Sequence, residues 1–325
     1  MSTQSFADLG VSRAVAGALA ERGITSPFPI QRLVIADVLA GHDVLAQSPT
    51  GSGKTIAFGA PIADCIEATD RRPAALILAP TRELATQIVA DLRPLAHARA
   101  LKIAPVYGGV GIVKQAELAK RAHIVVATPG RLEDLLGRGD LTLDHVRILV
   151  LDEADRMLDM GFKPAVDRIV AQCPHDRQTL FFSATLDGEA GRVARSYTRD
   201  ARRHDYAPAV TSTATVEHRF VAVERDERVE ALLGELRGER DLALVFVRTK
   251  RGVDRLVKRL SREGVNVVGM HGDKSQGQRE RALASFERFD VDTLVATDVA
   301  ARGLDVEGVT CVIQYQPPGD PTAYL

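Results

Sequence analysis

The chain has 325 residues, 45% of them hydrophobic, with a formal net charge of −1 and a pI near 6.7. That length supplies core for about two domains. The charge is near balance, which excludes a polycation that grips nucleic acid by bulk electrostatics, and no run of about 20 apolar residues exists to span a membrane.

Taken in chain order, the N-terminal residues lack both the basic start and the apolar core of a secretory signal. The first strand candidate is Val44–Ala46. It runs into Thr50-Gly51-Ser52-Gly53-Lys54-Thr55, a glycine-rich turn in which Ser48 stands where the strict phosphate-loop pattern has glycine. Such a turn feeding a helix presents bare backbone N–H groups to phosphate oxygens, and a lysine neutralises their charge. Further strand candidates are Ala75–Ala79, Ile103–Tyr107, Ile124–Ala127, Ile148–Leu151 and Thr179–Phe182, with amphipathic helical stretches such as Glu83–Leu92 and Lys114–Lys120 between them. This alternation predicts crossover units around a parallel sheet, with ligands at the carboxyl ends of the strands.

Asp152-Glu153-Ala154-Asp155 follows directly on the apolar run Ile148–Leu151. A carboxylate there completes a magnesium shell begun by the Thr55 hydroxyl, and a second one orients the attacking water. The residues therefore point to a bound and hydrolysed nucleoside triphosphate, with Lys54, Asp152 and Glu153 as the catalytic group and Thr55 and Asp152 as the metal pair. Asp205–Thr215 loses the rhythm and reads as a linker. A second set of strands is expected at Phe220–Val223, Ala243–Val247, Val265–Met270, Thr293–Ala296 and Cys311–Tyr315. The expected architecture is α/β, with two parallel-sheet lobes at residues 1–207 and 216–325 and a linker at 208–215. Cys65, Cys173 and Cys311 match no metal spacing and read as reduced thiols of a cytoplasmic protein.

Further motifs make the chain resemble one family closely, the DEAD-box ATP-dependent RNA helicases of bacterial type, with two RecA-like lobes. Gly23-Ile24-Thr25-Ser26-Pro27-Phe28-Pro29-Ile30-Gln31 is similar to the adenine-reading Q motif, with Phe6 as its upstream aromatic and Phe28 in place of the usual threonine. Ala46–Thr55 resembles motif I, Pro80–Ala85 motif Ia, Gly108-Gly109 the paired-glycine element and Thr128-Pro129-Gly130-Arg131 motif Ib. Asp152–Asp155 resembles motif II and Ser183-Ala184-Thr185 motif III. In the second half, Val245–Thr249 resembles motif IV, His271-Gly272-Asp273 and Gln276–Arg279 follow it, and Ala296-Thr297-Asp298 with Arg302-Gly303-Leu304-Asp305 resembles motif V.

The resemblance implies ATP and Mg²⁺ as cofactors. Phe6, Gln31, Thr50, Gly51, Ser52, Gly53, Lys54, Thr55 and Asp305 would form the nucleotide site. Gln31 suits adenine because its amide offers one donor and one acceptor. An RNA track is implied at Arg82, Gly108, Gly109, Thr128 and Arg131, continued by Arg248, Thr249, Gly272, Asp273 and Thr297. Ser183, Thr185 and Arg302 would couple hydrolysis to RNA. With no Trp and only 10 Phe and 5 Tyr, the RNA contacts are expected to fall on the backbone, with little sequence specificity. The family's His-Arg-x-Gly-Arg-x-x-Arg motif does not occur, so the second lobe is expected to lack its last strand and helices. The competing readings are an ATP-binding RNA clamp without turnover and a DNA-directed superfamily 2 helicase.

Overall fold

Short apolar runs, most only four residues long, build the sheets. The computed structural model describes residues 4–49, 51–206, 217–224, 226–238, 240–297, 306 and 308–317. The chain divides into two compact units, Met1–Thr211 and Ser212–Leu325. The first unit opens with α1 (Arg13–Glu21), α2 (Pro29–Leu39), β1 (Val44–Gln47), α3 (Lys54–Cys65), β2 (Ala75–Leu78) and α4 (Arg82–Ala98). It continues with β3 (Ile103–Val106), α5 (Ile112–Lys120), β4 (Ile124–Ala127), α6 (Pro129–Gly137) and β5 (Ile148–Leu151). It closes with α7 (Ala154–Asp159), α8 (Lys163–Ala171), β6 (Gln178–Ser183), α9 (Gly188–Tyr197) and β7 (Arg202–Asp205).

Its seven strands form one parallel sheet in the order β3-β4-β2-β5-β6-β1-β7. Crossover helices cover both faces, which is why the strands read as continuous apolar runs. Alternate residues serve opposite cores: Ala75, Ile77, Ile148 and Val150 join one buried cluster, Leu76, Leu78, Leu149 and Leu151 the other. Phe58 of α3 meets Phe182 of β6 edge-on at 5.2 Å between ring centres. α3 and α4 pack closely at Gly59, where an added Cβ would lie 2.0 Å from Leu92 Cδ2.

In the second unit, α10 (Arg228–Leu236), β8 (Leu242–Phe246), α11 (Lys250–Arg262), β9 (Val267–Met270), α12 (Gln276–Glu287), β10 (Thr293–Ala296) and β11 (Val309–Gln314) follow in order. The four strands form a parallel sheet ordered β11-β8-β10-β9. Both units are thus α/β with parallel sheets, the described part of the second being smaller. Among the described residues no helix is long and apolar enough to cross a membrane.

Two segments differ from the sequence expectation in the kind of structure they form, and others only in their ends. Phe220–Val223 is not a strand: the segment is irregular, Phe220 is 83% and Val221 55% exposed. Its alternation imitates a half-buried strand, but among the described residues no neighbouring strand pairs with it. Conversely, Asp205 belongs to β7 rather than to a linker, and β7 pairs with β1 along its whole length. The polar run Arg202–Asp205 carries no apolar signal because it lies at the sheet edge. Residues 207–216 lie outside the described residues.

Candidate functional site

β1, β6 and β5 are consecutive in the sheet and in register at their carboxyl ends, with Gln47 opposite Ser183 and Leu151 opposite Phe181. Three loops therefore meet. The Ser48 N–H donates to the Ser183 carbonyl at 3.0 Å, fixing the glycine-rich turn to the end of β6. Gly51 and Gly53 take φ of 74° and 86°, the left-handed region open to glycine. At Gly53 space matters as well, since a Cβ would fall 2.6 Å from Gln31 Nε2 and 2.8 Å from a Phe28 ring carbon. α3 starts at Lys54, so its free N–H groups face the turn. Lys54 is buried and its Nζ donates to the Ser48 carbonyl at 3.2 Å, while Thr55 is half-buried beside it. Gly51 is exposed and Ser52 half-buried, its hydroxyl bonded to the Pro49 carbonyl at 2.9 Å. Thr50 lies outside the described residues.

Asp152, at the end of β5, is 2% exposed. Burial raises its pKa to about 6; the Lys54 cation pulls it down and the neighbouring Glu153 pushes it up. Desolvation outweighs the lysine, so the pocket has capacity for more positive charge than Lys54 brings. Glu153 sits at φ 48°, donates its N–H to Asp152 Oδ1 at 3.0 Å and pairs its carboxylate with Arg156. The Ser48 hydroxyl is buried with no hydrogen-bond partner among the described residues.

Sequence reasoning gave Asp155 no separate role, yet it organises the third loop. Its Oδ2 accepts the backbone N–H groups of Ala184 and Thr185, both at 3.1 Å. Ser183 Oγ is bonded to the Thr185 carbonyl, closing the same loop on itself. An acid in the first turn of a helix is unremarkable in sequence, so only the fold identifies it. Gln31 joins the site from α2: its Oε1 accepts the Phe28 N–H at 2.8 Å and its Nε2 donates to the Gly53 carbonyl at 3.0 Å. Each end of this amide keeps one further bonding position for a base edge. Phe6 is 3% exposed and packs in the first unit's core, whereas the Phe28 ring beside Gly53 is 55% exposed.

The other half of the same sheet edge, β2, β4 and β3, gathers the second residue group. Arg82 begins α4, Gly108 and Gly109 follow β3, and Thr128 follows β4. The Arg82 guanidinium lies against the glycines: a Cβ would stand 2.2 Å from it at Gly109 and 3.1 Å at Gly108. The glycines thus make room for the arginine itself. Arg131 donates from one nitrogen to the Val110 carbonyl at 3.0 Å and to Gln115 Oε1 at 2.9 Å. Thr128 is buried at the N-cap position of α6, without a side-chain capping bond, its N–H bonded to the Val106 carbonyl at 2.9 Å. The result is an edge with two half-buried arginines, Arg131 also 3.6 Å from the Asp134 carboxylate, and close backbone, suited to phosphate oxygens.

In the second unit, Thr249 caps α11 by accepting the Gly252 N–H at 3.0 Å, and Arg248 beside it is exposed. Asp273 is bonded to Lys250 Nζ at 2.6 Å, which holds its carboxyl below the usual range. Gly272 is exposed next to it, and Thr297 is buried with its N–H on the Met270 carbonyl at 3.3 Å. His271 is buried; its Nδ1 accepts the Asp273 N–H at 3.3 Å, so its Nε2 donates to Asp254 at 3.1 Å. Arg302 and Asp305 lie outside the described residues.

Residues 28–193 match the family model described as DEAD/DEAH box helicase, and residues 224–325 that of the helicase conserved C-terminal domain. Similar curated proteins include the ATP-dependent RNA helicase CshA of Limosilactobacillus reuteri, 40% identical over 98% of this chain and 65% of that protein. Another is the DEAD-box ATP-dependent RNA helicase CshA of Streptococcus pneumoniae, 40% identical over 98% of this chain and 62% of its own. The chain thus spans less than two thirds of the length of these relatives. Among solved structures, S. cerevisiae Dbp5 bound to RNA and ADP BeF3 aligns with a TM-score of 0.88 at 27% identity, covering 99% of this chain and 84% of that one. A DEAD box protein from Methanococcus jannaschii aligns with a TM-score of 0.61 at 38% identity, covering 98% and 87%.

Proposed function

The chain belongs to the DEAD/DEAH box helicase family, and on that premise we propose that it acts as an ATP-dependent RNA helicase, hydrolysing ATP to hold RNA and separate strands locally. The observation that carries this reading is the division of one sheet edge. Loops built for phosphates leave β1, β6 and β5, and an arginine surface backed by glycines leaves β2, β4 and β3.

In this reading the turn at Gly51–Lys54 cradles the triphosphate, Lys54 exchanges its bond to the Ser48 carbonyl for phosphate oxygens, and Gln31 reads the adenine edge while holding Gly53. Glu153, kept in place by Arg156, orients the attacking water and receives its proton. The buried carboxylate of Asp152, the Thr55 hydroxyl and the Ser48 hydroxyl, which has no partner among the described residues, make a hard oxygen set that fits Mg²⁺, which characteristically takes one or two carboxylates plus phosphate and water. Bound there, magnesium would neutralise charge on the transferring phosphoryl group. Asp155 links this chemistry to the Ser183–Thr185 loop. Arg82, Arg131 and the exposed Gly109 would meet the RNA backbone, and Arg248 and Thr249 would serve it from the second unit. Backbone contacts carry little base information, so binding should be tolerant of sequence.

Strand-displacement assays with matched RNA and DNA duplexes, with and without ATP and magnesium, test the proposal. ATP-dependent displacement of RNA is expected. Displacement of DNA alone would end the RNA reading, and RNA binding without hydrolysis would leave a clamp.

A further inference from the structure

The exposed face of α11 carries a charge pattern that the fold does not use. Arg251, Arg255, Lys258 and Arg262 are all exposed and recur at i, i+4, i+7 and i+11. At about 100° per residue they fall within about 60° of the helix circumference, in a stripe about 16 Å long. The opposite face, Val253, Leu256 and Leu260, is buried in the second unit's core.

Three neighbouring cations are answered and these four are not. Lys250 pairs with Asp273, Arg259 with Glu230 and Lys274 with Asp254. Asp254, the helix's own acid, also accepts from His271. None of the four stripe residues has an ion pair among the described residues. Like charges at i, i+3 and i+4 repel, and Arg251 stands in a first turn that holds no acidic residue, where the helix dipole disfavours a cation. The chain therefore keeps a locally unfavourable arrangement, in a unit whose overall charge does not require it.

We propose that this stripe docks the phosphate backbone of an RNA duplex flanking the strand held at the site. The inference rests on the RNA-helicase reading and extends it to the substrate's paired region. Three of the four side chains are arginine, whose planar fork matches phosphate oxygens. The stripe begins two residues beyond Thr249, at the edge where Arg248 and Thr249 lie, and leads away along the helix. Over about 16 Å a duplex offers about five phosphates on each strand. The stripe offers no apolar side chain for insertion into a bilayer and no aromatic anchor for a protein partner, since the apolar face of α11 is already buried.

The test replaces all four, Arg251→Gln, Arg255→Gln, Lys258→Gln and Arg262→Gln, in the whole protein, with thermal unfolding to check that the second unit is intact. Affinity is measured over a salt series for a short single-stranded RNA and for the same strand joined to a duplex. The variant should bind the duplex-bearing RNA about tenfold or more weaker, with a salt slope lower by about 2–4, and the single strand within about twofold of the parent. Equal loss on both RNAs, or parental affinity and slope on the duplex, overturns the proposal. So does loss of binding to phosphatidylserine vesicles with RNA binding intact. A parent that binds neither RNA would instead refute the helicase reading beneath it.

Discussion

Asp155 and Thr185 are joined through a single carboxylate oxygen: Asp155 Oδ2 accepts the Thr185 N–H at 3.1 Å and lies 3.4 Å from its hydroxyl. With the Ala184 N–H on the same atom, one acid sets the conformation of the loop after β6. Asp155→Ala should cost about 1–3 kcal/mol of stability, the usual penalty for removing an acceptor from placed donors. If the loop couples hydrolysis to strand separation, displacement should fall much further than ATP turnover. Equal losses in the two rates would exclude a coupling role.

Glu153→Gln keeps the side chain's shape and removes the charge proposed to take up a proton. Single-turnover hydrolysis should slow about 10²–10⁴-fold with ATP affinity nearly unchanged. Lys54→Ala should show the reverse emphasis, with binding itself weakened, as read by nucleotide titration. Hydrolysis by Glu153→Gln at the parental rate would remove that residue from the role.

Gln31 holds Gly53, and in the proposed function its amide reads the base. The parent should prefer ATP to GTP by about 5- to 150-fold, the range for mismatched buried polar groups at about 1–3 kcal/mol. Gln31→Ala should erase most of that preference and also loosen the turn. Equal affinity of the parent for both nucleotides would defeat the base-reading assignment and leave the phosphate site untouched.

Gly109→Ala places a methyl group on the Arg82 guanidinium in a backbone of φ 88°. The arginine must move. RNA affinity should fall while ATP affinity holds, measured by titration of each in the absence of the other. An unaltered RNA affinity would show that Arg82 does not need its seat on the glycines.

The Asp152 carboxyl, with a folded pKa near 6 against an ordinary 3.8, binds a proton more tightly folded than unfolded. Its contribution to stability is therefore greatest below about pH 4 and declines as pH rises through 6. Asp152→Asn should flatten that part of the pH–stability profile and raise the melting temperature of the nucleotide-free protein at pH 7, while weakening nucleotide binding in magnesium. An unchanged profile would mean that the buried charge is compensated elsewhere.

The sheet was legible because its strands are buried on both faces. Ile124–Ala127 and Ile148–Leu151 stand where the apolar runs put them, and β6 extends its run by one residue at each end. β7 was not legible: an edge strand of Arg, Arg, His and Asp has no hydrophobic period, and only its ladder with β1 defines it. α4 runs on through Pro94 to Ala98, beyond the expected Leu92, since one missing N–H bond does not stop a helix packed against α3. The positions of Lys54, Asp152 and Gln31 followed from motifs that sit at strand ends or helix starts. The partners Arg156, Gln115 and Asp155 did not, because what they touch depends on loops brought together by strand order.

β2 is hydrogen-bonded to β4 on one side and to β5 on the other, with Leu78 opposite both Ala127 and Leu151. It is the seam between the arginine surface and the acidic loop. Sliding one group past the other would break a ladder buried on both faces, so the two must travel as one plate. The amides of Leu76–Leu78 should be among the last in the first unit to exchange with solvent, and any change that a nucleotide would bring within this lobe should be confined to the loops that overhang the plate.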